Sequence, residues 1–589
     1  MAKRSGSYVV PFSFELLSFD EAVGLAADTG RISGDAGPLL ETVVDMLDEL
    51  GRPDEYFDCI QVAGTNGKTS TTRFSAAILR GEGLKTALYT SPQLVRYPER
   101  MEVDGRVVSD EAFARGVSAA VEAGHRVNAR RVTAGERAYT ITPFDLLTAA
   151  ALVVFAEARV DVAVLEVGMG GRWDATSATD PVAVAITGIG LDHTRILGDT
   201  LEAIAGEKAA VIKPGRLVVL GEGTHEASVQ RVMNARCREC GIVPLVVNHA
   251  TTKVPAHVGD TVEFSCTTPR AIYTSSMVKP AYQPQNAACA IMLSEGYLGR
   301  ELDHDKLDAS LMGCPTPGRF DVLGTDPLKL IDACHNPQSC ENFVSALDEI
   351  DPCAENRPTL LCAALADKDV AGIVDVLVPA FPRVVVTQTD SDRALPAEEL
   401  AALVDADKLV GVYPSVSEAL AAFDAAGLPD ARNAAHGVRA GTGKGGLFPE
   451  LHQPDDGASE ASPRRGQASR RGDGVAVGQS GLRGHIPGEY VVPLLRYDLG
   501  KQRNARNRRQ KDQGTRGCTL ESQRGRPLPC PLRPKPLPSS YGAQDQEDAA
   551  LRTVRIHPWF PDRQAGLPPD RHPGSHSSHL LDAPDAQDR

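Results

Sequence analysis

Residues 64–70 read Gly64-Thr65-Asn66-Gly67-Lys68-Thr69-Ser70, a run whose backbone and side chains suit a polyphosphate. The glycines let the chain curl so that successive N–H groups face one anion, at the mouth of a following helix. Lys68 can neutralise the β- and γ-phosphates, and a hydroxyl after it can meet Mg²⁺. The longer P-loop pattern requires glycine at position 62, where this chain has Val62. Two further polar groups stand where apolar strands end. Glu166 closes the run DVAVLEV (161–167), and Asp192-His193 follow VAVAIT (182–187). Open α/β sheets take their ligands at the carboxyl ends of strands, and a carboxylate there is a poor core filler.

These residues need a scaffold of alternating strands and helices. Residues 59–63 predict a strand, 69–79 a helix, 85–90 a strand and 110–123 a helix. A long helix is expected over 142–158, with Thr142 as cap and Pro143 in the first turn, where proline is tolerated. Strands follow at 161–167 and 182–187. A second series starts after 315–318: strand 328–333, helix 337–350, strand 359–363, helix 370–380, strand 384–387. The pattern predicts a mostly parallel sheet covered by helices, with a smaller Rossmann-like α/β domain after it. The expected organisation is a nucleotide-binding domain over 1–298, a hinge over 299–318, a C-terminal domain over 319–430 and a tail over 431–589.

Composition bounds what such a chain does. It has 589 residues, 42% of them hydrophobic, with 12 cysteines and a net charge of −15. No apolar run approaches the roughly 20 residues of a membrane helix. Residues 1–8 carry charge without a hydrophobic signal core, so no export is expected. So few cysteines in so long a chain make no disulfide framework and suit a reducing cytoplasm. The acidic balance argues against a general nucleic-acid binder. The charge is split, however. Residues 433–589 hold 24 Lys+Arg against 17 Asp+Glu, leaving 38 against 60 for residues 1–432.

Several motifs occur in a shared order: GTNGKTS, TSPQLVRYPERMEVDG (90–105), LEVGMGGRWDATSAT (165–179), TGIGLDHTRILGDTLEAIAGEKAAVIKPG (187–215) and PGRFDVL…LIDACHNP (317–337). In this order they resemble the folylpolyglutamate synthase/dihydrofolate synthase family of the Mur ligase superfamily, over about residues 10–425. The resemblance implies ATP and two Mg²⁺ ions as cofactors. It implies an acyl phosphate on dihydropteroate or a folate γ-carboxylate, attacked by the amino group of L-glutamate. It implies a cytoplasmic monomer acting on small molecules, without nucleic acid or membrane. By resemblance, Thr90 (with Ser91 beside it), Glu166 and His193 hold metal. Lys208 is the lysine that the superfamily carbamylates, and Lys68 and His335 join it in catalysis. Asn286 contacts adenine, while Arg319 and Asp332 reach the nucleotide from the second domain. Asn336 lines the same cleft as His335. Thr142, Phe144, Asp145, Trp173, Asp174 and Ala175 face the pterin. Asp145 stands for the more usual glutamate, Gln93 for a histidine and Trp173 for a leucine. Asp145 reads equally well as a capping partner in the first turn of its helix.

Other features carry less. Cys237 and Cys240 form a C-x-x-C with no second pair at zinc spacing. Residues 441–444 mimic a phosphate loop without a preceding strand, and Arg471-Gly472-Asp473 is expected by chance in such a tail. Beyond about 430 the periodicity stops, in stretches such as SPRRGQASRRGDG and RPLPCPLRPKPLPSS. Such sequence cannot bury enough apolar surface to offset chain entropy. The resemblance ends at the same point, before a late strand of the second domain. A shifted reading frame is therefore favoured over a natural basic tail, leaving that domain short of a strand. Two rival functions are a Mur-type ligase for a cell-wall precursor and a non-catalytic nucleotide- or RNA-binding protein.

Overall fold

The structure, a computed structural model, describes residues 3–30, 40–325, 328–391, 393–426 and 490–493. The central sheet has eight strands: β1 (Asp58–Ala63), β2 (Thr86–Tyr89), β3 (Met101–Val103), β4 (Arg106–Val107), β5 (Val162–Glu166), β6 (Ala183–Gly188), β7 (Leu217–Gly223) and β8 (Leu245–Val246). Their order is β4-β3-β2-β5-β1-β6-β7-β8. The six strands from β2 to β8 run parallel, and β3 and β4 form an antiparallel edge. Every residue of β2, β5 and β6 is buried, as strands covered on both faces require.

Helices cover both faces. The helix Lys68–Gly81 puts Phe74, Ile78 and Leu79 into one core with Ala287 and Ile291 of the helix Gln283–Leu298. On the opposite face Leu146, Val153 and Phe155 of the helix Pro143–Ala158 share a core with Phe113 and Val117 of Asp110–Thr133. A small antiparallel sheet, β9 (His249–Lys253), β10 (Val262–Thr267) and β11 (Ile272–Met277), joins the first of these cores through Phe264 and Tyr273.

The expected hinge is shorter than residues 299–318. The helix His304–Met312 buries Leu307 and Leu311 in the core around Phe74 and Tyr273, so it belongs to the first half. The crossing to the second half falls to the residues between that helix and the next strand.

The second half is built on six strands: β12 (Asp321–Thr325), β13 (Leu328–Asp332), β14 (Thr359–Cys362), β15 (Val384–Val386), β16 (Leu409–Val412) and β17 (Tyr490–Pro493). Their order is β12-β13-β17-β14-β15-β16, with β12 antiparallel and the rest parallel. Phe343, Leu360, Leu377, Phe381 and Val384 form its core. The expectation that nothing after residue 430 forms a strand is corrected here. Tyr490–Pro493 lies between β13 and β14, in the middle of the sheet. Residues 441–444 and 471–473 lie outside the described residues.

A central parallel strand is paired on both sides, so its loss leaves two rows of backbone groups without partners. A chain ending at residue 426 should therefore lose protection in β13 and β14 during amide hydrogen exchange, while β1, β5 and β6 keep theirs. A chain ending at residue 513 should match the full chain throughout. Equal protection in both truncations would show that β17 contributes nothing.

Candidate active site

Four loops leave the carboxyl edge of the central sheet on the same side. They carry the glycine turn after β1, Ser91 after β2, Glu166 at the end of β5, and Asp192-His193 after β6. The second half faces them with Arg319, Asp332 and His335 across a cleft of about 270 Å³.

The glycine turn is held from several directions. Thr65 Oγ1 donates to Gly190 O (3.1 Å) and accepts from Gly190 N (3.0 Å), and Thr187 Oγ1 donates to Asn66 O (2.6 Å). Gly67 has φ +83°, and a Cβ there would stand 2.2 Å from Asn286 Oδ1. Only glycine meets both conditions. The helix Lys68–Gly81 starts at this residue, so its free N–H groups point into the cleft. Lys68 Nζ donates to Thr65 O at 2.9 Å. Burial holds its ammonium below the usual lysine range, against the opposing pull of Glu166 and Asp192.

Glu166 is 2% exposed. Its Oε1 accepts from Thr69 Oγ1 (2.8 Å) and its Oε2 from Ser91 N (3.2 Å). Burial raises its proton affinity, while Lys68 and these two hydrogen bonds oppose the rise. Ser91 lines the cleft; Thr90, the expected ligand, is buried beside it and does not. His193 has φ +51°, a strained conformation for a non-glycine residue at a cost of about 1–3 kcal/mol. Burial keeps its imidazole neutral, with a pKa of about 4. Among the described residues no three His, Cys, Asp or Glu side chains converge as a metal-binding group.

Asp192 accepts from Lys368 Nζ (3.2 Å) and lies 3.7 Å from the Nε2 atoms of both His193 and His335. Burial would raise its pKa, but the close approach of His335 and the Lys368 and His193 charges hold it well below the carboxylate range. Asp332 accepts from Phe320 N (2.7 Å), Cys334 N (2.8 Å) and Tyr282 OH (3.2 Å). Beneath the turn, Lys208 Nζ donates to Gly64 O at 2.8 Å. Burial, then the nearby Lys68 charge, pulls its amine down to about 7.

This two-sided cleft has counterparts among known proteins. Residues 62–290 match the Mur ligase middle domain, and residues 318–431 match the Mur ligase glutamate ligase domain. The dihydrofolate synthase/folylpolyglutamate synthase of Mycobacterium tuberculosis is 32% identical over 381 residues, covering 62% of this chain and 77% of that protein. The chain belongs to the folylpolyglutamate synthase/dihydrofolate synthase family. A probable bifunctional folylpolyglutamate synthase/dihydropteroate synthase of Haloferax volcanii is 37% identical over 399 residues, covering 66% of this chain. The chain spans less than half of that relative, 45% of its length. Folylpolyglutamate synthase of M. tuberculosis complexed with ADP and AMPPCP superposes with a TM-score of 0.62 at 29% identity, covering 68% of this chain and 91% of that one.

Within this family frame, Thr65 to Ser70, Glu166, His193, Asn286, Arg319, Asp332 and His335 all line the cleft. The six residues expected to face the pterin do not. Thr142 and Asp145 are spent on each other in a capping box at the helix N-terminus. Asp174 is buried and accepts from Gly168 N, Met169 N, Thr176 N and Thr176 Oγ1, which fixes its loop. Ala175 is buried, and Trp173 is 64% exposed. Phe144 packs over Gly168, which does line the cleft. Cys237 and Cys240 are core residues. Lys368, Tyr282 and Gln338 were not anticipated; all three depend on contacts between distant parts of the chain.

Lys208 yields a pH test. Its folded pKa of about 7 lies below the ordinary 10.5, so between those values the unfolded chain binds a proton that the folded chain does not. Stability contributed by this side chain should therefore rise with pH across that window, by up to about 1.4 kcal/mol per unit. Urea melts of wild type and Lys208→Met in carbonate-free buffer should show that slope in their difference from pH 7 upward. A flat difference would place the amine in an ordinary aqueous setting.

Proposed function

We propose that this chain is an ATP-dependent ligase joining L-glutamate to dihydropteroate, to the γ-carboxyl of folyl(poly)glutamates, or to both. The observation that carries it is the opposition, across one cleft, of the phosphate-type turn with Lys68 and the second half's Arg319, Asp332 and His335. Family membership and the match to a glutamate ligase domain support the same reading. It takes only the ligase part of the Haloferax relative's name, because both matched regions are ligase regions.

The chemistry follows from charge. A carboxylate oxygen attacks the γ-phosphorus of ATP, ADP leaves, and the acyl phosphate is attacked by the glutamate amine with loss of phosphate. Two anions must meet, so fixed positive groups dominate the barrier. The N–H groups at the start of Lys68–Gly81 and the Lys68 ammonium receive the phosphates, and Asn286 stands beside them for the base. Arg319, tied by its Nη1 to Gly318 O at 3.1 Å, adds a cation from the other half. The donor set also fits Mg²⁺, a hard ion that prefers oxygen: a buried carboxylate, two hydroxyls at Thr69 and Ser91, and a neutral His193 imidazole. Bound there, Mg²⁺ would offset triphosphate charge. Lys208, neutral in a good fraction of molecules near pH 7, is fit to take up CO₂ and become a second anionic ligand. The pterin is assigned to the side of the cleft at Gly168, over which the Phe144 ring packs. We place the enzyme in the cytoplasm as a monomer acting on small molecules.

Lys68→Ala and Glu166→Gln should each lower glutamate-dependent phosphate release by about 10²–10³-fold, as loss of a preorganised charge partner does. Release should depend on dihydropteroate or a folylglutamate and not on a UDP-muramoyl peptide. Near-normal turnover in either variant, or turnover driven by the muramoyl peptide, would overturn the assignment.

A further inference from the structure

The two halves of the cleft touch in two chemically different ways. On one side the contact is apolar: Val258 and Tyr282 of the first half pack against the second half's core, where the Tyr282 and Phe320 rings lie 6.5 Å apart. On the other side, beside the glycine turn, it is polar. Asn66 Nδ2 donates to Gln338 Oε1 at 2.9 Å, and Gly190 lies so close that a Cβ would stand 2.0 Å from the same atom. The charged member of this side is Asp192, whose Oδ1 accepts from Lys368 Nζ at 3.2 Å. Its Oδ2 lies 3.7 Å from His335 Nε2. The Asp192 and Lys368 side chains are 13% and 10% exposed.

The polar contact lies directly beside the glycine turn, so it is the one placed to govern how the second half meets that turn. We propose that Asp192 is a positioning residue: through Lys368 it holds the second half against the phosphate-binding turn, and this pair sets how often the cleft is assembled. The proposal rests on the reading of the cleft as the ligase site. Arg319, Asp332 and His335 reach the nucleotide only when the halves are together, so loosening the pair slows the chemical step more than it weakens substrate binding to the first half. Gln338 and Asn66 give orientation. The ion pair gives the contact its dependence on charge, and a pair this shielded is costly to break by removing one partner.

The test uses the full chain with Lys368→Met, Asp192→Asn, the double variant and Lys368→Arg. Each single neutral variant should lower kcat about tenfold while the KM for glutamate moves less than about threefold. The double variant should lose no more than the worse single one, since both remove the same interaction. Lys368→Arg should recover most of kcat. In small-angle scattering the neutral variants should be larger than wild type. Additive losses in the double variant, or unchanged dimensions with a glutamate KM raised tenfold or more, would overturn the proposal; the latter makes Lys368 a substrate contact. If wild type shows no ligation, the ligase reading fails, and scattering alone decides on the pair.

Discussion

Burial at the carboxyl edge of the central sheet makes Glu166 harder to ionise and Lys68 and Lys208 harder to protonate. Each is kept there by specific partners. Thr69 and Ser91 donate to Glu166, the Thr65 carbonyl accepts from Lys68, and the Gly64 carbonyl accepts from Lys208. All these partners belong to the glycine turn, its helix or the neighbouring strand end. The turn is therefore more than a cradle for an anion: it is the structure that makes buried charge tolerable at this edge. A hydrogen bond to a charged group of this kind contributes about 1.5–3 kcal/mol, a sizeable share of a domain's margin. This explains why the turn is tied on two sides, by Thr65 to Gly190 and by Thr187 to Asn66.

The same constraint divides labour between the halves. The first half carries Glu166 and two lysines within one buried patch, and adding Arg319 permanently to it would deepen the like-charge repulsion around Lys68, which Arg319 already opposes. Bringing that cation from a second half lets it arrive with the anion that needs it. Phe320 next to it has φ +50° and donates its N–H to Asp332, so strained backbone is fixed by a buried carboxylate where the second half turns toward the cleft.

Much of this was legible in the sequence wherever the signal was local. A strand, a glycine turn and a helix in succession identify residues 64–70, and a carboxylate ending an apolar run identifies Glu166. Thr142, Pro143 and Asp145 mark a helix start, and the helix Pro337–Ile350 forms over the predicted residues. What was not legible depends on distance or on fine pleating. Lys368 gains its meaning only beside Asp192, 176 residues away. Ser91 rather than Thr90 faces the cleft because neighbours at a strand end point to opposite sides. The helix His304–Met312 has only two leucines four residues apart, one alanine and a terminal methionine among polar residues, so it read as a hinge. Strand β9 exposes most of its short polar residues and gives no alternating signal.

The second half shows how a site depends on the strand order of the sheet beneath it. Asp332 ends β13, and the loop that presents Lys368 follows β14. These two strands are not paired with each other; β17 lies between them, with Tyr490 opposite both Lys329 and Thr359. The separation of β13 and β14 is thus two strand spacings, about 9.5 Å, and is set by four residues far downstream of the helix Val416–Ala426. In the same register Asp332 pairs with Pro493, the end of that strand. Without β17 the two strands would close on each other or part, and Asp332 and Lys368 would no longer face the glycine turn together. The spacing of the nucleotide-side and latch-side residues is therefore a property of sheet order, fixed by backbone pairing before any side chain in the cleft is considered.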